Sequence, residues 1–408
     1  MKIIIPNNWF HQFLFILCIA VPYLDNFEST ISVWSLAFIL TIQRKYSVSL
    51  FKLIIPYALI LLIAIVVSFN YDYQKYLMIR DITYLCKPMI GFFLGYQLCG
   101  RNFQTAFRLI VKTGFFIAIC HILIILNAIF IHGVRTVSEL RFYSGYFSDY
   151  EIYTFIILLF HKEFQLDYSK KTLRILTIIV GFSAFMYLAR TNFIQFVILF
   201  IAVKGYLVIN KKALIIIGSI IITSVVGYSV IVSTNPRRGA DGLEGFLYKL
   251  KVAPMEPFKT KINREDYRDF NDNYRSYENI LTIRQVTRDG VTPTIFGKGI
   301  GSQIDLKQHV WLGDMHLRFI SILHNGFMIV FLKSGLLGIF IYLFTIIFFF
   351  RKLKTEKPIV NNINLLFIGT GVFLLVSNWV FLGFYNLTET KSILIGFLIA
   401  YREKINNQ

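Results

Sequence analysis

A bundle of about a dozen membrane-spanning α-helices, all-α and interrupted by one large external loop, is the fold this sequence predicts. Three observations predict it. Only 16% of the 408 residues are charged, against about a quarter in a soluble domain. The hydrophobic 56% gathers in blocks: Ala58 to Phe69 and Ala213 to Val232 are nearly free of charge, and Gly335 to Phe350 has none. Basic residues concentrate in the short segments between alternate blocks.

A helix needs about 20 mostly apolar residues to cross the hydrocarbon core, and in lipid the backbone must satisfy its own hydrogen bonds. On that basis spans are expected at 9–24, 29–43, 50–69, 82–99, 109–131, 151–161, 175–189, 192–209, 213–233, 335–350, 363–381 and 388–401. The first ends at Pro22, Tyr23, Leu24 and Asp25 without a small-x-small cleavage motif, so it reads as a span rather than a leader. The sixth is short, and is expected to begin before Glu151 or to lie partly in protein.

Orientation follows from charge. With the N-terminus inside, the inner set is Lys2, Arg44, Lys45, Arg101, Arg108, Lys162, Lys170, Lys171, Arg174, Lys211, Lys212, Arg351, Lys352, Lys354, Lys357, Arg402 and Lys404, 17 in all. The short outer loops hold 5: Lys75, Arg80, Arg135, Arg141 and Arg190. This asymmetry places both termini in the cytoplasm. Two short spans between His324 and Phe350 would carry Arg351 to Lys357 outside, against the rule. A single span from about Gly335 is therefore expected, with His324 at the outer surface or in a protein-lined cavity.

The chain then divides into an N-terminal bundle of about nine spans (1–233), a large external loop (234–334) and about three C-terminal spans (335–408). Residues 234–320 carry 14 Lys and Arg against 11 Asp and Glu, a net charge of about +3. Pro236, Pro254, Pro257 and the run Asn271, Asp272, Asn273 break this stretch into short helices, one expected from Tyr277 to Thr287. No internal repeat is visible. The formal charge of +19 reflects topology; no basic-aromatic module for nucleic acid is present. Cys18, Cys86, Cys99 and Cys120 all lie in apolar segments without metal-ligand spacing, and read as small buried hydrophobes. Without an HExxH or paired-Cys motif, and with the loop's acids scattered, chemistry without metal or cofactor is the default.

Arginines near the outer span ends are the first functional signal. Arg190 sits at the seam of two apolar helices in Tyr-Leu-Ala-Arg-Thr-Asn. An arginine there needs a partner, and its fixed fork of donors matches phosphate oxygens; the alternative is an interfacial anchor. Lys87, followed by Pro88 inside the fourth span, needs a counter-charge or a wet cavity, or snorkels. Arg141 lies in Leu-Arg-Phe-Tyr-Ser-Gly-Tyr-Phe, where aromatic faces suit sugar rings and Arg suits phosphate; the alternative is an aromatic belt. Arg275 precedes Glu278 by three residues, the spacing of a local helix pair, and Glu278 by itself does not read as a base. His324 and Asn325 precede Gly326. A neutral imidazole there could take or relay a proton, although a lone His at a helix start is more often structural. His316 ranks below it, and Met315 to Ser321 reads as the approach to the helix. Phe-Gly-Lys-Gly-Ile-Gly-Ser at 296–302 is neither a Walker loop nor a dinucleotide fingerprint, and reads as a tight turn, with phosphate or sugar contact the lesser alternative.

Together, Phe296-Gly-Lys-Gly-Ile-Gly301 and Leu323-His-Asn-Gly-Phe-Met-Ile-Val-Phe-Leu-Lys-Ser-Gly-Leu-Leu-Gly338 resemble the signature of the O-antigen polymerase and O-antigen ligase family: a Gly-x-Gly turn, His-Asn, then Gly-Leu-x-Gly opening a span. Arg190, Arg275, and Arg141 with Gly145 match positions where the family keeps arginines. The resemblance covers roughly residues 80–350. The chain departs from it at Ser148-Asp149-Tyr150-Glu151, where members often have Asn and Pro.

The resemblance implies a metal-independent, multi-pass membrane glycosyltransferase at the outer face of a bacterial cytoplasmic membrane. Donor and acceptor would be undecaprenyl-diphosphate-linked oligosaccharides, and a chain-length regulator protein would be a possible partner. Catalysis would fall to His324, Arg190 and Arg275, with Arg141, Lys87 and Asn325 contacting substrate. A repeat-unit polymerase is the preferred reading and a ligase the alternative. A flippase ranks lower, because inverted repeats and mid-membrane ionisable residues are not what the sequence displays.

Overall fold

The computed structural model describes residues 7–407 apart from 146, 209–210, 239, 241, 253, 255–258, 313–314 and 354. Lys2, Lys354, Pro257 and Tyr146, all used above, lie outside the described residues. In chain order the helices are α1 (Asn7–Ala20), α2 (Phe27–Leu40), α3 (Val48–Ser68), α4 (Lys75–Asn102), α5 (Ala106–Phe130), α6 (Val137–Ser144), α7 (Asp149–Leu159), α8 (Lys170–Met186), α9 (Arg190–Val203), α10 (Lys211–Ser233), α11 (Gly242–Val252), α12 (Tyr267–Asp272), α13 (Tyr274–Arg288) and α14 (Val291–Phe296). A hairpin, β1 (Ile304–Leu312) and β2 (Met315–Ile320), precedes α15 (Gly326–Phe348), α16 (Pro358–Phe381) and α17 (Lys391–Asn406). Starts are written in the sequence. The side chains of Asn26, Ser47, Thr136, Ser148, Ser169 and Asn325 each accept a backbone N–H of the helix they open.

The fold is mostly helical. Among the described residues four helices are long and apolar enough to cross a membrane: 48–68, 103–130, 326–348 and 358–381. The dozen expected spans do not all meet that standard. Eleven-residue α7 is about 16 Å long, roughly half a hydrocarbon core. Helix α4 has the length, but Lys75, Arg80, Asp81 and Lys87 occupy its first half.

Two expectations for 234–334 are corrected. First, 304–320 is an antiparallel hairpin, with Leu312 opposite Met315 and Ile304 opposite Ile320. Met315 to Ile320 is thus a strand rather than a helix approach. Alternation buries Ile304, Leu306 and Val310 on one face, and a register shift between Asp305 and Val310 accommodates Lys307 at φ 62°. Second, the helix expected from Gly335 starts nine residues earlier, at Gly326. Gly335 is a kink within it, at φ 66°.

The kink has a structural purpose. It frees the carbonyls of Leu332 and Lys333 from the helical ladder, and these accept the N–H groups of Lys298 (2.8 Å) and Gly299 (3.1 Å). Ile300 N–H donates to Ala64 of α3 (3.1 Å), and Gly301 N–H to the Asp81 carboxylate (2.7 Å). The glycine turn is therefore a clasp holding α3, α4 and α15. Lys333 completes it, with Nζ 2.5 Å from Asp81 and 2.6 Å from the Ser302 carbonyl.

The tightest helix packing is α4 on α17, where Gly91 lies against Ser392, Gly95 against the Ile393 carbonyl and Gly396 against the Phe92 carbonyl. Small residues allow this close approach.

Candidate active site

Helix α15 begins beside α13, and the contacts at this junction are the ones that surround His324. Asn325 Oδ1 caps α15 by accepting from the N–H groups of Phe327 (2.9 Å) and Met328 (3.3 Å). That fixes the backbone of His324 one residue earlier. From α13, Glu278 reaches across: one carboxylate oxygen accepts the His324 backbone N–H (3.0 Å), and both lie within 3.0 Å of Nδ1. An ionised carboxylate only accepts, so in this contact Nδ1 is the donor and Nε2 is the ring nitrogen left outside it. Glu278 is 1% exposed at its side chain and His324 45%. The pair is thus a buried carboxylate orienting a half-exposed imidazole. The Tyr274 ring stands edge-on to the imidazole at 5.7 Å. Burial, and then the Glu278 charge, push the Tyr274 hydroxyl well above its ordinary value, so it stays protonated. Arg275, half-buried, follows Tyr274 on α13, and Arg80 of α4 donates to Ser321 just before the histidine.

A buried polar seam runs from this junction across the bundle. Gly326 lies against Asn378 and Leu382. The next carbonyl, of Gly383, accepts from Lys391 Nζ (2.8 Å), which also pairs with Asp149 (2.7 Å). Ser148, the cap of α7, bonds Tyr23 (2.7 Å). Glu151, one turn into α7, accepts the Tyr187 hydroxyl (3.0 Å), and the Tyr187 ring stacks on His121 at 3.7 Å. Arg190, half-buried, opens α9 three residues after Tyr187. Arg141 lies on α6, whose terminal Gly145 sits against the Tyr187 ring. The structure therefore gathers His324, Asn325 and Arg275 at one end of the seam, and Arg190 and Arg141 at the other.

One expected substrate contact is corrected. Lys87 is 1% exposed, and its Nζ donates to the carbonyls of Asn386 (2.9 Å), Leu387 (2.8 Å) and Glu389 (3.0 Å), with the Glu389 carboxylate 4.0 Å away. An ammonium has three donors, so none remains for a ligand, and Lys87 ties α4 to the loop before α17. The Asn325 side chain is 1% exposed; its oxygen is committed to the helix cap, while its amide nitrogen is a buried donor with no partner among the described residues. The amides of residues 298–301 are all taken by protein, so the glycine turn offers no phosphate cradle. Glu278, expected to pair with Arg275, turns both oxygens to His324 instead.

Several residues escaped the sequence reading: Glu278 as a partner, Arg80, Asp149 with Lys391, Glu151, and Asp81 with Lys333. The available signal was that each buried pair places an acid in one apolar stretch and a lysine in another, since charges in such segments need partners. The pairing itself, over 242 and 252 residues, has no local trace.

No model of a known protein family matches the chain, and no curated protein matches it significantly.

Proposed function

We propose that this chain is a membrane glycosyltransferase of the O-antigen polymerase kind. It joins oligosaccharide repeats carried on undecaprenyl diphosphate at the outer face of a bacterial cytoplasmic membrane. The observation that carries the reading is the His324–Glu278 pair beside Arg275, at the mouth of an apolar helix.

Glu278 holds the imidazole with Nε2 outward. Nε2 takes the proton of the acceptor sugar hydroxyl as that oxygen attacks the anomeric carbon of the donor. The bond from that carbon to the diphosphate oxygen breaks, and its electron pair leaves with the lipid diphosphate. Charge grows on the leaving group, where arginines stabilise it most; Arg275, on the same helix as Glu278, is assigned this role, with Arg190 and Arg141, at the far end of the seam, along the lipid-linked glycan. The products are the lengthened glycan and undecaprenyl diphosphate. In this reading both termini are cytoplasmic, and the shorter apolar helices complete a layer of about twelve spans around the four long ones.

The test is chain growth in cells carrying His324→Ala, Arg275→Ala or Arg190→Ala. Each variant should reach the membrane and leave surface polysaccharide with a single repeat. Normal ladders in all three would sink the proposal. Loss of every attached repeat would instead assign a ligase.

A further inference from the structure

Towards its C-terminal end α13 walls a second concavity, separate from the His324 junction. The cavity has a volume of about 440 Å³, and of its ten lining residues four are cationic and none acidic. Tyr277 and Leu281 form a buried floor. Arg264, Arg284, Arg288 and Lys307 stand around it.

The walls are tied together. Tyr277 donates its hydroxyl to the Leu306 carbonyl (2.5 Å). Gln285 donates to the Asp305 carbonyl (2.7 Å) and accepts the Asp305 N–H (3.0 Å), locking α13 to β1. The third wall, at 260–264, is held by Asn263 N–H on Asp269 (2.9 Å).

The cations differ in their neutralisation. Lys307 already pairs with Asp305 (3.0 Å), which also takes Arg318 (2.9 Å); these contacts, Arg318's first, hold the Asp305 carboxyl well below the usual carboxylate range. Arg264, Arg284 and Arg288 are exposed and form no ion pair among the described residues. Three nearby acids are engaged elsewhere, Asp289 with Lys298 (2.5 Å), Asp269 with Lys259 (2.5 Å) and Asp266 with Arg238 (3.9 Å), and Glu265, next to Arg264 in the chain, is exposed and does not line the groove. Three unopposed guanidinium groups around one cleft repel each other and focus a positive field into it.

The size falls in the range of small-ligand sites, about 300–1,000 Å³. An aromatic and aliphatic floor suits a sugar ring, and guanidinium forks suit a carboxylate or phosphate on it. The walls belong to the polar loop and not to an apolar helix, which favours a glycan over a lipid headgroup.

We propose that this groove is a subsite for an acidic sugar, one bearing a carboxylate or phosphate, so that the glycan this protein handles is acidic. The proposal rests on the glycosyl-transfer reading for its biological setting, but its test is binding alone. Full-length His324→Ala protein in phosphatidylcholine nanodiscs is titrated with trigalacturonate, and with neutral maltotriose as control. Trigalacturonate should bind and maltotriose should not. Affinity should fall about tenfold or more in Arg284→Glu/Arg288→Glu, and also in Arg284→Gln/Arg288→Gln, and should weaken with added salt. Both positions are exposed, so unchanged thermal unfolding would certify folding.

Equal affinity in both double variants, or no trigalacturonate binding, overturns the proposal. Abolition of binding by phosphatidylglycerol in the disc would also overturn it, by assigning the groove to lipid headgroups. Normal chain growth in His324→Ala, Arg275→Ala and Arg190→Ala cells alike would refute the glycosyl-transfer reading whatever the groove binds. The two failures are therefore separable.

Discussion

Glu278 is the residue whose role depends most on the third dimension. Three residues after Arg275 on one helix, it has the spacing of a local ion pair. In the fold it orients the His324 imidazole instead, from 46 positions away. Glu278→Gln tests that role. An amide is nearly isosteric, but it can offer an N–H to Nδ1 and so admit the wrong tautomer. Turnover should fall about 10²-fold, the lower end of what acid–base catalysis contributes, with KM for the lipid-linked acceptor and the thermal midpoint nearly unchanged. A wild-type kcat in this variant would remove Glu278 from the mechanism. The same scale shows what sequence could reveal. Arg275 stood out because of its spacing to Glu278 and its place in the family pattern, and His324 and Arg190 because Arg and His at apolar helix ends need a reason. Lys87 stood out on the same ground, yet its reason is three carbonyls of its own chain. Type and position marked the unusual residues, whereas only their partners, distant in sequence, tell a ligand contact from a structural tie.

Among the elements, α15 carries the clearest lesson. Its apolar run predicts a helix, and Gly335 reads as its start because that boundary keeps Arg351 to Lys357 inside. The backbone uses Gly335 for a kink that the glycine turn fills. A Cβ at Gly335 would lie 2.3 Å from the Ile295 carbonyl oxygen, and φ is 66°. Gly133 has the same φ of 66° but nothing within 4 Å. At Gly335, with ψ −161°, a backbone conformation that only glycine adopts readily and a crowding carbonyl act together, whereas Gly133 has open space. Gly133→Ala should cost about 1–2 kcal/mol, the penalty of a left-handed residue with a side chain. Gly335→Ala should cost clearly more, because two backbones must separate. Thermal unfolding in detergent measures both, and equal shifts would show that the clasp is loose. The hairpin at 304–320 was legible in its period-2 alternation, but was submerged in a loop whose prolines and charges speak for irregular structure. Helix α13, expected over 277–287 and observed over Tyr274–Arg288, was legible because its polar stretch is uninterrupted by Gly or Pro.

For the whole molecule, the useful comparison is between the charge rule and the contacts. Loops assigned to the cytoplasm meet at one end of the bundle: Arg108 lies 3.4 Å from Asp167, Asn362 donates to the Glu163 carbonyl at 2.9 Å, Lys357 to the Ile405 carbonyl at 2.6 Å, and Arg402 to Asn364 at 2.9 Å. Segments assigned outside meet in a separate set of contacts, where Arg80 bonds Ser321, Tyr23 bonds Ser148 and Glu278 bonds His324. A count of basic residues knows nothing of these contacts, yet both sort the loops into the same two sets; which set faces the cytoplasm is the part that belongs to the proposal. Single cysteines test it directly, since the native four lie in apolar stretches. Arg264→Cys, in the groove wall, should react with a membrane-impermeant maleimide in intact cells whose outer membrane has been opened. Lys170→Cys and Lys352→Cys, equally exposed, should react only after the cytoplasmic membrane is permeabilised. The reverse pattern would place His324, Glu278 and the cationic groove in the cytoplasm. There the chemistry of the site would need a nucleotide-linked donor in place of a lipid-linked one, and the polymerase proposal would fall with the topology.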